Sequence, residues 1–334
     1  MTTQRLLILG SFSYLVLFFL YPLTAILARS LDTDSFLGLG PFTTLLNDSY
    51  YLERIWFTIW QATVSTLFTV AVGLPIAYLF AKVQFPGKAL LKAVSTVPFI
   101  MPTVVVAMGF VALLGSRGVV NSALMSLFGL DTPPVRINNT LLIIFMAHVF
   151  YNYSIVVRIV STFWANLSPR LEESAAMLGA GRFEIFVHVT FPLLLPAIVS
   201  SAVLAFAFAF TSFGVVLILG GPQFATLEVV TYELTAKLFR LELAGALAII
   251  QLIFTYLFLV VYTKFQAGAA VSVELVPREF ASTHLRKPRD AGLVFALILG
   301  LLIILSPLWA LFERAMSSGD GYSLVHYISL FSND

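Results

Sequence analysis

The apolar residues of this chain of 334 run in near-continuous blocks. Each is about 20 residues long, the length an α-helix needs to cross the hydrocarbon core of a bilayer. The blocks predict seven spans, at about Leu6–Ala28, Trp56–Ala81, Leu91–Gly115, Leu141–Phe163, Val189–Leu219, Ala244–Lys264 and Gly292–Phe312. Composition agrees: 59% of the residues are hydrophobic and 11% charged, against roughly 25% charged in a soluble domain. A transmembrane β-barrel would alternate apolar and polar residues in strands of about 10 residues, and these blocks do not alternate. The predicted fold class is an all-α integral membrane protein, a polytopic bundle of about seven helices embedded in a lipid bilayer. The first block is too long for a signal-peptide core and has no small-residue cleavage pattern before Asp32, so it reads as a retained helix.

Basic residues set the orientation. With a cytoplasmic amino terminus, the inner segments hold 12 of the 19 lysines and arginines, among them Lys82, Lys88, Lys92, Arg158, Arg170, Arg182 and Lys264. The segment from Asn166 to His188 is then cytoplasmic and that from Gly220 to Leu243 external. A net charge of +2 argues against a nucleic-acid partner. Zero cysteines remove disulfides, thiolate metal sites and cysteine nucleophiles.

An internal echo sets the domain reading. Leu20, Pro22, Leu23, Ala25 and Arg29 recur without gaps as Leu305, Pro307, Leu308, Ala310 and Arg314, an offset of 285 residues. At that offset Phe42–Leu46 falls on Tyr327–Phe331. Duplicated halves are common in transporters. The expected organisation is a six-helix domain at 1–264, a polar cytoplasmic linker at 265–290 carrying Pro277 and Pro288, and at 291–334 the first helix of a second, truncated half.

Between the fourth and fifth spans, the loop at about 166–190 reads as a short capped helix followed by a turn. Ser168 is placed to cap and Pro169 suits the first helical position. Glu172 and Glu173 sit where the helix dipole favours anions, and Gly179 can end the helix with φ above zero. Phe183, Phe186 and Val187 begin a second helix, and Pro192 and Pro196 open the next span. An ordinary loop helix would share these caps.

The spacing is more specific than the caps. The loop resembles the EAA loop of binding-protein-dependent ABC importer permeases (the MetI-like family), whose pattern is Glu-Ala-Ala, three residues, Gly, nine residues, then Ile-x-Leu-Pro. Glu173, Ser174, Ala175, Gly179, Val189, Phe191 and Pro192 occupy those positions, with Ser174, Val189 and Phe191 as departures. The resemblance implies a type I importer permease in which Glu172, Glu173, Ser174, Ala175, Gly179, Val189 and Pro192 couple the membrane domain to an ATPase subunit. Ala147–Asn152, Leu219–Pro222 and Thr226–Val229 look like the amino-terminal half of fused permeases that import thiamine or ferric iron. The resemblance further implies a bacterial cytoplasmic (inner) membrane location. It also implies nucleotide-binding ATPase subunits, an extracytoplasmic substrate-binding protein and a second permease half, fused or separate.

His148 and Asn152, one turn apart in the fourth span, and Phe210 in the fifth are candidates for lining a translocation path. Helix–helix hydrogen bonding and packing explain the same residues. None of the first six spans holds an interior Asp or Glu, which weakens an ion-coupled carrier; a passive channel stays as an alternative. No phosphate-binding Gly-x-x-x-x-Gly-Lys-Ser/Thr run exists, so ATP belongs on a partner subunit and this chain is expected to bind no cofactor. Four histidines without ligand spacing and no carboxylate pair leave no expected metal or catalytic residue.

Overall fold

The computed structural model of the chain describes residues 3–22, 24, 25, 28, 39–168, 170–269, 283, 284, 288–318 and 321–329. Pro169, Leu23 and Arg29, and most of the linker read at 265–290, lie outside them. In chain order the helices are α1 (Thr3–Leu15), α2 (Gly40–Asn47), α3 (Ser49–Lys82), α4 (Lys88–Val94), α5 (Val97–Ile100), α6 (Thr103–Leu114) and α7 (Val119–Phe128). Then follow α8 (Leu141–Ala165), α9 (Arg170–Met177), α10 (Arg182–Phe210), α11 (Leu227–Tyr232), α12 (Leu241–Ala269), α13 (Pro288–Met316) and α14 (Val325–Ser329). Among the described residues six helices are long and apolar enough to cross a membrane, and Ile8–Leu20 is a shorter apolar helix where the first span was expected.

Two expected spans are interrupted. The block read as Leu91–Gly115 is three helices, because Pro98 and Pro102 each lack a backbone N–H and Met101 is extended at ψ 141°. The membrane-length segment runs instead over Thr103–Phe128, with a break at Gly115–Gly118. The block read as Val189–Leu219 begins earlier, at Arg182, and ends at Phe210; a separate π-helical turn covers Val216–Gly220. Arg182, Glu184 and His188 lower the hydropathy of the first turns without stopping the helix, so the span starts before the apolar block does.

Each break frees helix-end carbonyls, and at each one a side chain from another helix bonds one of them. Tyr151 Oη donates to Met101 O at 3.3 Å. Asn121, fully buried, donates to Gly115 O at 2.9 Å and Val135 O at 2.8 Å and accepts from Val135 N–H at 2.9 Å. Gln61 Nε2 donates to Ala209 O at 3.0 Å, in the last turn of α10.

The chain divides into two compact units, Met1–Ile59 with Ala225–Phe258, and Trp60–Phe224 with Leu259–Asp334. In the first, Thr58 Oγ1 accepts from Leu227 N–H at 3.0 Å and Gln251 Nε2 donates to Glu228 Oε1 at 2.6 Å. In the second, α8 is the central helix and packs along α10. Gly73 lets α3 approach α8: a Cβ there would come within 2.7 Å of Val156 Cβ. Ile76, Phe80, Tyr153, Leu297 and Leu301 share one cluster, and Phe110, Phe150 and Ala310 another, so α13 seals the core over α6 and α3. The residues after α3 and part of the linker also meet, Val83–Gln84 pairing in parallel with Thr283–His284. Of the echoed segments, Phe42–Leu46 falls in α2 and Tyr327–Ser329 in α14, with Leu330 and Phe331 outside the described residues.

Gly109 lets α6 approach α13 closely, since an added Cβ would lie 2.7 Å from Pro307 O. Backbone cannot yield as a side-chain tip can. Gly109→Ala is expected to destabilise the purified chain by about 1–3 kcal/mol, the usual range for overpacking. Gly300→Ala, helical and with nothing within 4 Å, should not lower the thermal unfolding midpoint in detergent.

Candidate functional site

The loop from Asn166 to Thr190 is built from a short helix that a turn stops and an ion pair pins. Arg170 N–H points to Ser168 Oγ at 3.4 Å, so Ser168 faces the open amino end of α9. At the other end Gly179 N–H donates to Ala176 O at 3.0 Å and Ala180 N–H to Ala175 O at 3.1 Å. These are the paired bonds of a Schellman turn, and Gly179 takes the required positive φ, +90°. Ser174 and Ala175 form the body of α9, where small side chains let another backbone approach.

Glu172 is the anchor of the loop. Its carboxylate accepts from Lys82 Nζ at 3.0 and 3.1 Å and from Thr190 Oγ1 at 3.0 Å. Three elements therefore meet at one carboxylate: the end of α3, the first turn of α9 and the first turns of α10. Glu173, at the Glu position of the motif, is exposed. Sequence reasoning named both glutamates but neither Lys82 nor Thr190 as a partner, since they lie 90 and 18 residues away with no local pattern linking them.

After the turn, Gly181 N–H donates to Glu184 Oε2 at 2.8 Å and α10 begins. Pro192 has no N–H to continue the helical ladder. A π-helical turn at Phe186–Thr190 precedes it, with Phe191 N–H reaching back to Phe186 O. Val189 is half-buried and Pro192 exposed. Of the exposed apolar side chains on this loop three stand almost free, Met177 at 89%, Leu178 at 90% and Phe183 at 79% exposure. Exposed apolar side chains of this size on a loop outside the spans are candidates for an interaction surface. Hydropathy windows could not single it out, because its members sit among Arg170, Glu172, Glu173 and Arg182.

The three residues considered for a translocation path are all buried within the second unit. His148 Nδ1 lies 2.8 Å from Ser65 Oγ, and Asn152 is 3% exposed one turn further along α8. The Phe210 ring stacks with Phe206, centroids 5.9 Å apart. Ser65, Gln61 and Thr69 form a buried polar stripe on α3, so His148 belongs to a polar seam between α3 and α8. Among the described residues no group of three or more His, Cys, Asp or Glu could hold a metal ion.

Residues 73–271, which include the whole loop, match the model of the family described as binding-protein-dependent transport system inner membrane component. The chain belongs to this family. Relatives of this inner membrane component include the thiamine transport system permease protein ThiP of Brucella abortus, 30% identical over 85% of this chain and 52% of that protein. The sulfate transport system permease protein CysT of Escherichia coli is 30% identical over 59% of this chain and 69% of that protein. The chain thus spans about half the length of the curated ThiP relatives it matches. A solved structure of a bacterial alginate ABC transporter, in complex with its pentasaccharide-bound periplasmic protein, contains a similar fold. Its TM-score is 0.65 at 19% identity, covering 81% of this chain and 96% of that one.

The Lys82 and Glu172 side chains are 21% and 29% exposed, so water screens their attraction. A double-mutant cycle with Lys82→Ala and Glu172→Ala, followed by thermal unfolding, should give a coupling of about 0.2–1 kcal/mol that shrinks in high salt. Additive effects of the two substitutions would mean that the pair does not pin α9.

Proposed function

We propose that this chain is the translocation subunit of an ATP-driven importer that takes thiamine from an extracytoplasmic binding protein. The observation that carries the reading is the loop itself, a rigid helix held to two membrane helices through Glu172 and offering Met177, Leu178 and Phe183 outward. A nucleotide-binding subunit that closes on ATP can grip such a surface, and the carboxylate node passes the movement to α3 and α10. On this reading Glu173, Ser174, Ala175 and Gly179 shape the docked face, while Val189 and Pro192 set where the lever joins the membrane. The chain contributes no catalytic group, and ATP is bound and hydrolysed on the partner. A second permease half, on the same polypeptide or another, encloses the path. The similarity to ThiP over 85% of the chain favours thiamine over sulfate as cargo.

Uptake of radiolabelled thiamine tests the cargo. Cells lacking this chain should lose high-affinity thiamine uptake and keep sulfate uptake; unchanged thiamine uptake would exclude the assignment. Gly179→Val tests the lever, because a left-handed φ costs a residue with a Cβ about 1–2 kcal/mol. The variant should insert normally and transport thiamine roughly ten-fold more slowly, the change that about 1.4 kcal/mol corresponds to.

The reading also puts the loop in the cytoplasm, on the weight of basic residues. In this cysteine-free chain, Ser174→Cys and Asp131→Cys place single thiols at exposed positions. An impermeant thiol reagent on intact cells should label Asp131→Cys and spare Ser174→Cys. The opposite pattern would invert the topology.

A further inference from the structure

Beside the end of α8 that leads into the loop, an open cavity of about 440 Å³ lies between α8 and α4. Lys92 and Arg158 both line it. Among the described residues neither cation has a carboxylate within ion-pair distance, whereas Lys82 and Lys237 each have one. The cavity wall also carries the hydroxyls of Ser95, Thr96, Ser154 and Thr162. Their protons are already committed to backbone carbonyls: Ser95 to Lys92 O at 2.8 Å, Thr96 to Ala93 O at 2.6 Å, Thr162 to Arg158 O at 2.7 Å and Ser154 to Tyr151 O at 3.4 Å. The oxygens keep acceptor capacity, and those of Thr96 and Thr162 sit at the more open positions, Ser95 and Ser154 being buried. A complementary ligand therefore combines an anionic group for the two cations with hydroxyl donors of its own.

We infer that this cavity binds the headgroup of an anionic phospholipid whose phosphodiester meets Lys92 and Arg158 and whose glycerol hydroxyls meet the oxygens of Thr96 and Thr162. Phosphatidylglycerol has this chemistry. A headgroup ending in an ammonium would instead bring a third positive charge to the two present. Leu90 and Val97, next in the chain to the lining residues Ala89 and Thr96, are exposed and apolar, as suits a flank that meets acyl chains. Basic pockets between membrane helices on the cytoplasmic side bind anionic headgroups in this way. The field is felt nearby: burial first, and then the charge of Lys92, hold the Lys88 ammonium below the usual lysine range. Nothing in this site draws on the cargo assignment.

The test titrates the full chain, purified in neutral detergent, with short-chain phosphatidylglycerol, phosphatidylcholine or inorganic phosphate, and follows thermal unfolding. Phosphatidylglycerol should raise the midpoint where the other two do not. The double variant K92Q/R158Q should weaken that binding about 30-fold, each basic residue near anionic lipid contributing about five-fold. Lys88→Gln, whose side chain does not line the cavity, should bind as the native chain does. If the double variant fails to fold, Lys92→Gln alone, at an exposed position, should still cost about five-fold. Equal protection by inorganic phosphate would make the site one for a free anion and overturn the lipid proposal. So would variants that bind phosphatidylglycerol as tightly as the native chain, or a midpoint that phosphatidylglycerol leaves unmoved and an added nucleotide-binding subunit raises through the same two residues.

Discussion

A helix that breaks inside lipid must have its freed carbonyls bonded by protein, because nothing else there can donate. Where helices of this chain break or end, Tyr151, Asn121 and Gln61 bond the carbonyls of Met101, Gly115 and Ala209. The donors come from helices other than the ones they repair or from beyond the break, so each bond also fixes a neighbour. Gln61 on α3 holds the end of α10, and Tyr151 on α8 holds the residue between α5 and α6. The polar stripe that supplies Gln61 also supplies Ser65 for His148, which is why the buried polar residues of α3 and α8 fall on facing sides.

That framework gives the loop its leverage. Glu172 joins α9 to the ends of two helices that the same framework locks into the core, α3 through Gly73 against Val156 and α10 along α8. One partly exposed, water-screened pair contributes little to stability. Its geometry matters more, since a displacement of α9 pulls on Lys82 and Thr190 or breaks their bonds to Glu172. On the proposed reading this is how ATP-driven closure would reach the membrane helices.

Much of the fold was readable because transfer of apolar side chains to lipid dominates, and block lengths report that directly. Leu141–Ala165 matched its block to within two residues for this reason. The interruptions were not readable to the same degree. Pro98 and Pro102 signalled a break that the hydropathy of Leu91–Gly115 outweighed, and the end at Phe210 is bonded at Ala209 O by a side chain 148 residues away. In the loop, Gly179 was readable as a positive-φ stop because few other residues end a helix that way. The ion pair was not, because the position of Lys82 relative to Glu172 is a product of the fold. The motif drew attention to Glu173, while the fold gives the contacts to its neighbour Glu172.

The central claim is that residues 166–190 present the surface that the nucleotide-binding subunit grips. Its most direct measurement is the rate at which a maleimide labels a single cysteine at Leu178 in purified protein, with and without that subunit. The account predicts that the subunit slows labelling at Leu178→Cys severely and leaves Asp131→Cys unaffected. Equal labelling of Leu178→Cys in both samples, with the complex shown to be intact, would contradict it.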